Sequence, residues 1–294
     1  MINTSIKLEV QTFRMNLECD RLDMKFLAKV INLALFFASW REIERQRRQK
    51  YTLDLSSILS AMTAIIPYSK ETLSESLAPA KIKWFRRQLS TWAKENLRDF
   101  PWRRTSDPYA IFIAEFMLQK TDAATVVPIY ETFLVRYPAL QDLAAATVDD
   151  IAQILKPLGL LFRAERLLQS AQTILEKYQG KIPLSEDKLL KLPGIGIYTA
   201  RSICANAFNQ PLAVLDTNVA RILERFFGLK GERVKSRCKL LWKAAESVAP
   251  ARKVGTWNLT LLDFGATVCT AKNPLCDKCP LQKQCNYANS ASLL

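Results

Sequence analysis

The sequence contains no histidine and only eight glycines among 294 residues. Without imidazole, proton transfer near neutral pH must rely on a carboxyl, a lysine, a tyrosine or water, so carboxylates become the candidate catalytic groups. Beyond residue 40 no apolar run approaches the roughly 18 to 20 residues that a membrane span needs. Three cysteines, Cys19, Cys204 and Cys238, are scattered and odd in number, which disfavours a disulfide scaffold and indicates a reducing, cytoplasmic setting.

Negative charge is also scarce relative to positive charge. Lysine and arginine outnumber aspartate and glutamate by 42 to 28, which gives a net charge of +14. Such self-repulsion favours a polyanionic partner, and nucleic acid is the leading candidate. An anionic membrane surface is the weaker alternative, so no membrane partner is expected. In a bacterium or archaeon the protein would accompany the nucleoid.

Four further cysteines lie close together near the end of the chain, Cys269, Cys276, Cys279 and Cys285, with the spacing C-x6-C-x2-C-x5-C. Four thiolates at such short spacing can bind zinc or an iron-sulfur cluster, since both accept all-sulfur coordination. Structural zinc sites usually contain two C-x2-4-C pairs, and only Cys276 and Cys279 form one. The spacing therefore favours a 4Fe-4S cluster, with zinc as the competitor. Polar intervening residues disfavour core or disulfide cysteines.

From residue 81 onward, apolar residues recur at helical spacing, and proline or glycine interrupts the pattern where helices would end. The sequence therefore predicts an all-α body. Residues 1–80 contain no motif and are predicted to be an N-terminal extension of unknown role. A duller alternative is that translation begins downstream, for instance at Met62.

Residues 185–207 predict two helices joined by the turn L-P-G-I-G, which is a helix-hairpin-helix. Gly194 and Gly196 would let the hairpin backbone come close to another surface. The amides that begin the second helix suit a DNA phosphate. By itself the turn could equally join two packed helices, but the charge and the cysteine motif favour DNA binding.

Two carboxylates stand out. Asp216 follows the apolar residues 212–215 and precedes an amphipathic helix, where its plainest role is an N-cap worth roughly 1 kcal/mol. Glu115 lies inside the apolar residues 111–118. A buried partner is one explanation; the other is that desolvation raises its pKa and suits it to proton transfer.

In this order and at these distances, the hairpin, the aspartate and the cysteine loop resemble the helix-hairpin-helix DNA glycosylases related to endonuclease III. The resemblance covers residues 81–287. It implies an all-helical fold of two lobes, a six-helix lobe at 105–211 and an iron-sulfur lobe formed by 81–104 and 212–290. Duplex DNA with a mismatched or damaged base would lie across the cleft between them, with its target nucleotide flipped into a pocket, and the protein would act as a monomer.

In that family the aspartate matching Asp216 is the catalytic acid, which stabilises the cationic sugar as the base departs. Some members use a lysine of the second hairpin helix as an amine nucleophile. This chain has Tyr198 there, which implies a monofunctional glycosylase, although the nearby Lys191 leaves weak lyase activity open. Glu115 and Asn218 complete the expected catalytic set. The expected DNA contacts are Gln119, Lys120, Gly194, Gly196, Thr199 and Arg221.

Two branches of the family carry the tyrosine, and they differ in the base removed. Residues 115–121 resemble the MutY-type adenine glycosylases, which excise adenine opposite guanine or 8-oxoguanine. Residues 257–264 look more like the branch that removes thymine or uracil opposite guanine. Leu160 and Leu161 replace the wedge tyrosine of the adenine branch, Lys120 replaces its second glutamine, and only nine residues follow Cys285, so no 8-oxoguanine-reading domain is expected. Thymine or uracil opposite guanine is the predicted substrate, with adenine as the alternative.

Two other activities are compatible with these motifs. The protein could be a non-enzymatic DNA-binding redox sensor with structural carboxylates, or a lyase like endonuclease III. A second hypothesis about DNA contact concerns three lysines of the cysteine loop, Lys272, Lys278 and Lys283, whose charge could reach the phosphates.

Overall fold

The computed structural model describes residues 76–159 and 162–291, which belong to one compact unit, Tyr68–Leu294. Residues 1–75 of the predicted N-terminal extension, with Cys19 and Met62, lie outside the described residues. Leu160 and Leu161 also lie outside them. Every regular element in the described ranges is a helix, which confirms the predicted all-α class. None of these helices is long and apolar enough to cross a membrane.

The described ranges contain twelve α-helices and five short 3-10 helices. The α-helices are α1 (Pro79–Asn96), α2 (Pro108–Met117), α3 (Ala123–Arg136), α4 (Leu140–Ala144), α5 (Val148–Leu155), α6 (Phe162–Tyr178), α7 (Glu186–Leu189), α8 (Ile197–Phe208), α9 (Thr217–Phe227), α10 (Lys239–Val248), α11 (Val254–Thr267) and α12 (Asn286–Ala291). The 3-10 helices are Pro101–Arg103, Lys156–Leu158, Lys235–Arg237, Cys276–Lys278 and Gln282–Gln284.

Aspartate side chains begin three of the helices that line the candidate site. Asp107 accepts hydrogen bonds from the main chain at the start of α2, and Asp122 does the same for α3. Asp216 caps α9. These caps satisfy N–H groups that have no intrahelical acceptor, so the sequence fixes where each helix begins.

The first hydrophobic core is built around α2 and extends over residues 102–204. All residues of α2 from Tyr109 to Met117 are buried, which explains why this helix is apolar on every side. It packs against α3 and α8, while α6 packs against α4 and α5. The hairpin formed by α7 and α8 is part of this core through Leu189, Leu192 and Ile195.

The second hydrophobic core is formed by residues 85–89 and 213–281. Phe85 of α1 lies 4.8 Å from Phe226, 5.2 Å from Phe227 and 5.8 Å from Trp257, measured between ring centroids. This aromatic cluster joins α1 to α9 and α11. Residues near both ends of the described part of the chain therefore share one core, although the lobe boundaries at 105–211 and 212–290 stay a prediction.

Candidate active site

A cleft of about 1,210 Å³ is lined by segments from both hydrophobic cores. Six of the residues selected from the sequence line it: Glu115, Gln119, Lys120, Tyr198, Asp216 and Asn218. They come from α2 and the turn that follows it, from the start of α8 and from the start of α9. The fold thus gathers side chains that lie more than 100 positions apart in the sequence into one concave site.

Asp216 lies at the N-terminus of α9, where its carboxylate is held by two short hydrogen bonds. Its Oδ1 accepts from the main-chain N–H of Val219 at 2.7 Å, and its Oδ2 accepts from Asn218 Nδ2 at 2.7 Å. Burial raises the pKa of Asp216 above its usual value, while these hydrogen bonds and the nearby Arg221 oppose that shift. The carboxylate is therefore fixed in position and partly desolvated before any substrate enters.

A chain of hydrogen bonds connects Asp216 to the cysteine loop. Asn218 donates to Asp216, and its Oδ1 accepts from Arg221 at 2.8 Å. Arg221 also donates to the carbonyls of Gly265 and Cys269, each at 2.8 Å. A Cβ on Gly265 would lie 2.7 Å from the Asn218 side chain, so glycine is required for α11 to pack this closely. The predicted contact of Arg221 with DNA stays a prediction, since its guanidinium already binds three acceptors inside the protein.

Glu115 is buried, with 8% of its surface exposed. Its Oε1 accepts a 2.6 Å hydrogen bond from Ser202, whose hydroxyl oxygen in turn accepts from Asn206 at 3.2 Å. Burial raises the pKa of Glu115 to about 7, although the hydrogen bond from Ser202 and the charge of Arg103 act against the rise. Near neutral pH this carboxyl exists in both protonation states, so it can hold or release a proton in the cleft.

Tyr198 lies at the second position of α8 and lines the same cleft as the two carboxyl groups. Burial raises the pKa of its phenol well above the usual value, and the negative charges of Glu115 and Asp216 raise it further. The phenol therefore keeps its proton at neutral pH. At this position the cleft has a phenol in place of the amine that Schiff-base chemistry requires, and the lysines that line the cleft elsewhere are Lys120 and Lys235.

The two glycines of the hairpin differ in whether the protein's own packing requires glycine at that position. Gly194 has a φ of +81°, and a Cβ there would lie 3.0 Å from Phe116, so both conformation and packing require glycine. Gly196 has an extended backbone, and a Cβ there would meet nothing within 4 Å. Its N-cap position has no side chain that binds the first amides of α8. The side chain of Thr199 is buried, so only its main-chain N–H at the third position of α8 is suited to a phosphate.

The turn after α2 carries Gln119 and Lys120 and is held by a buried arginine that sequence reasoning missed. Arg163 of α6 is 2% exposed and donates to the carbonyls of Met117 and Gln119 and to the hydroxyl of Thr121. Gln119 donates to the carbonyl of Gly194 at 3.0 Å. Lys120, in the left-handed region at a φ of 57°, is exposed at the edge of the cleft. Arg163 therefore positions the turn between α2 and α3, from which Gln119 bonds to the hairpin.

A second missed group is Asp263 of α11, which is fully buried and binds two arginines of the cleft wall. Arg103 bonds both carboxylate oxygens, at 2.7 and 2.9 Å. Arg98 donates to the same oxygens through its main-chain and side-chain nitrogens. These bonds and charges hold the pKa of Asp263 below its usual range against the opposing effect of burial. The sequence signal existed, because Asp263 stands among apolar residues as Glu115 does.

The four cysteines of the C-terminal loop line one small cavity next to α9. Arg225 donates to the sulfur of Cys269 at 3.6 Å, and Cys285 donates to the main-chain carbonyl of Arg225 at 3.5 Å. Four sulfurs that line one cavity supply the all-thiolate donor set that a 4Fe-4S cluster takes. The four cysteines would hold this cluster, whose contribution is to cross-link the loop.

Comparison with known proteins decides the family. Residues 113–247 match the HhH-GPD superfamily of base excision DNA repair proteins, and residues 269–285 match the iron-sulfur binding domain of endonuclease III. A thymine/uracil-DNA glycosylase of Methanothermobacter thermautotrophicus is 37% identical over 213 residues, which cover 72% of this chain and 96% of that protein. The chain belongs to the HhH-GPD superfamily. The predicted family and its iron-sulfur motif are confirmed.

Other members of the HhH-GPD superfamily are similar to different extents. An adenine DNA glycosylase of Rattus norvegicus is 36% identical over 216 residues, but these cover only 42% of that protein. Among solved structures, a thermostable thymine-DNA glycosylase matches with a TM-score of 0.69 and 37% identity over 72% of this chain and 98% of that one. A trapped endonuclease III-DNA intermediate, at 23% identity and a TM-score of 0.63, matches in fold over 72% of this chain and 98% of that one.

Proposed function

We propose that the protein is a monofunctional DNA glycosylase that hydrolyses the N-glycosidic bond of thymine or uracil opposite guanine. The observation that carries the proposal is the joint placement of Asp216 and Glu115 in one cleft beside Tyr198. One carboxyl is held by hydrogen bonds that favour its charged form, and the other is buried with a pKa of about 7. Two acids in different environments within one cleft are the groups that a bond cleavage of this kind needs.

The chemistry assigns a separate role to each group. As the bond between C1′ and the base nitrogen breaks, its electron pair leaves with the base and positive charge develops on the deoxyribose. Asp216 stabilises this cation electrostatically in the desolvated cleft. A water adds its hydroxyl to C1′ and its remaining proton compensates the charge on the base, with Glu115 as the group that passes protons. Asn218 keeps the carboxylate of Asp216 in position, and Tyr198 supplies a neutral polar group.

Binding of the duplex would use the hairpin and the turn after α2. Open space beside Gly196 and the uncapped amides of α8, including that of Thr199, are suited to a backbone phosphate. Lys120 adds an exposed cation at the edge of the same cleft, and Gln119 fixes the turn to the hairpin at Gly194. The partner is double-stranded DNA with a mismatch, bound by one copy of the chain.

The choice of base rests on relatives. Three thymine or thymine/uracil-DNA glycosylases are 37 to 39% identical to this chain over 67 to 73% of its length. Adenine glycosylases are 34 to 36% identical over similar lengths, so the adenine alternative is not favoured. A panel of duplexes with T, U or A opposite guanine, and A opposite 8-oxoguanine, tests the assignment. The proposal requires that thymine or uracil is released fastest, and faster release of adenine would reverse the choice of base.

The Asp216→Asn variant tests the enzyme itself. Asparagine is also a good N-cap, so α9 is retained while the charge that would stabilise the sugar cation is lost. We expect a loss of about 10²- to 10³-fold in single-turnover excision, as for the removal of a preorganised electrostatic group, with duplex binding retained. Wild-type protein that leaves every duplex of the panel intact would support the redox-sensor alternative. Strand cleavage without alkali, together with borohydride trapping, would support the lyase alternative.

A further inference from the structure

The loop between α9 and α10 lines the cleft, although no part of the proposed mechanism uses it. We call residues 230–237 the rim loop; four of its eight residues are basic, namely Lys230, Arg233, Lys235 and Arg237. Residues 233–236 contribute to the same cleft wall as Asp216 and Asn218. A basic segment at the edge of a cleft that would hold DNA is a candidate for backbone contact.

The first half of the rim loop is fixed by a single carboxylate of α9. Glu224 Oε1 accepts from the main-chain N–H of Gly231 at 2.9 Å and from Lys235 Nζ at 2.6 Å. A Cβ on Gly231 would lie 2.4 Å from Leu241 and 2.9 Å from Glu224, so glycine permits this close approach. The carboxylate of Glu224 thus balances the charge of Lys235, and this ion pair holds the rim loop in place.

The second half of the rim loop is fixed by α10. Its 3-10 turn, Lys235–Arg237, ends at Cys238, which is buried and whose sulfur accepts from the N–H of Glu232 at 3.5 Å. Trp242 of α10 donates its indole N–H to the carbonyl of Ser236 at 2.9 Å. Both ends of the loop are held, so its tip needs little ordering when a partner arrives.

The tip of the rim loop presents two side chains that this bracing leaves free. Arg233 is exposed and has no hydrogen bond or ion pair among the described residues. Val234 lines the cleft, and 48% of its surface is exposed to solvent. A rigid loop that holds an unpaired guanidinium next to an exposed apolar side chain is complementary to a DNA strand, which offers phosphates beside sugar and base surface.

We propose that the rim loop is a DNA-contacting element, in which Arg233 binds a backbone phosphate and Val234 packs against the sugar and base next to the extruded nucleotide. The inference rests on the proposed function, because it needs DNA in the cleft. It adds a contact from the second hydrophobic core to those that the hairpin supplies from the first core. The duplex would then be contacted by the hairpin, which precedes Asp216 in the sequence, and by the rim loop, which follows it.

The experiment measures affinity of the full-length, cluster-loaded protein for a duplex that contains an abasic site opposite guanine, over a series of salt concentrations. The test variants are Arg233→Gln and Val234→Ala. Their matched controls are Lys177→Gln, which removes one exposed charge from α6, and Val135→Ala, which trims an 84% exposed valine of α3; neither residue lines the cleft. Arg233→Lys serves as the conservative variant.

We expect Arg233→Gln to weaken binding about tenfold and to lower the slope of log affinity against log salt by about 1. Arg233→Lys should restore the slope. Val234→Ala should weaken binding about three- to tenfold with an unchanged slope, since it removes apolar contact only. In excision assays the Arg233→Gln change should raise KM and leave kcat nearly constant.

Equal salt slopes for Arg233→Gln and Lys177→Gln would overturn the proposed phosphate contact, and equal affinities for Val234→Ala and Val135→Ala would overturn the apolar one. Binding to the abasic duplex does not depend on excision. If wild-type protein excised no base, the proposed function would fail, yet the rim loop could still be judged from the salt slopes.

Discussion

Replacement of Glu115 by glutamine should make the protein more stable and less active. Glutamine has the same shape and can still accept the hydrogen bond that Ser202 donates. It carries no charge, so the cost of burying an ionised carboxyl disappears. Burial is the largest cause of the raised pKa of Glu115, and Arg103 offsets it only in part. The phenol of Tyr198, which also faces Glu115, stays neutral over the relevant range.

The size of this gain follows from the shift in pKa. Glu115 has a pKa of about 7 in the folded protein against an ordinary value of 4.5. For a carboxyl whose folded pKa is raised, the stabilising contribution is complete below the unfolded pKa and is lost as pH rises through the folded pKa. About 1.4 kcal/mol per unit gives about 3 kcal/mol in all, and most of it is lost between pH 5 and pH 8.

The assay compares the melting temperatures of wild-type protein and Glu115→Gln, at one scan rate, from pH 5 to pH 8. Other titrating groups are common to both proteins, so their effects cancel in the difference. The variant should gain little at pH 5 and roughly 5 to 10 °C relative to wild type at pH 8. Wild-type excision should fall as pH rises through about 7 if Glu115 donates a proton, and this dependence should be absent from the residual activity of the variant.

A difference in melting temperature that stays constant from pH 5 to pH 8 would refute the reasoning, because a buried carboxyl with a raised pKa must lose stability in that range. Full excision activity in Glu115→Gln would separately refute the role of this residue in proton transfer. Ser202→Ala provides a control, since loss of the hydrogen bond to the carboxylate should raise the pKa of Glu115 further and move the pH dependence upward.

Four further substitutions test other parts of the site. Asp263→Asn should destabilise the fold by about 3 to 5 kcal/mol in urea unfolding, because Arg98 and Arg103 lose their shared carboxylate. Since the pKa of Asp263 is lowered in the folded protein, the difference in stability between wild type and variant should vanish only in strong acid, below the ordinary pKa of 3.8. Gly194→Ala should lower the melting temperature, whereas Gly196→Ala should leave it unchanged and weaken DNA binding, because only the first position is internally crowded. Arg221→Gln should slow excision at least about tenfold and accelerate loss of the cluster absorbance, since two carbonyls lose a charged donor.

The sequence predicted those parts of the site that local spacing encodes. Each of three patterns can be recognised within about twenty residues: four cysteines at short intervals, two glycines in a turn, and an acid before an amphipathic helix. The same reasoning found Glu115, since an ionisable group inside an apolar helix has few explanations. The structure brings Glu115 and Asp216 into one cleft, which their separation in the sequence could not establish by itself.

The missed groups depend on pairing over long distances. Asp263 bonds Arg98 and Arg103 across 165 and 160 positions, and such a pairing has no local signature. Arg163 was detectable in principle, because it shares one face of α6 with the buried residues Leu167 and Ala171 at steps of four. A cation on the apolar face of a helix must find acceptors, but only the folded structure shows that they belong to the turn after α2.

Asp216, the residue directly before α9, has a structural role as well as its proposed catalytic one. The carboxylate of Asp216 accepts the main-chain N–H of Val219, so the partial positive charge at the end of a helix acts directly on it. A free aspartate on a loop would have to find its orientation anew for each encounter with DNA. Here the same bond that starts the helix sets the direction of the negative charge, so the site is ready before the nucleotide arrives and no reorganisation energy is spent at that moment.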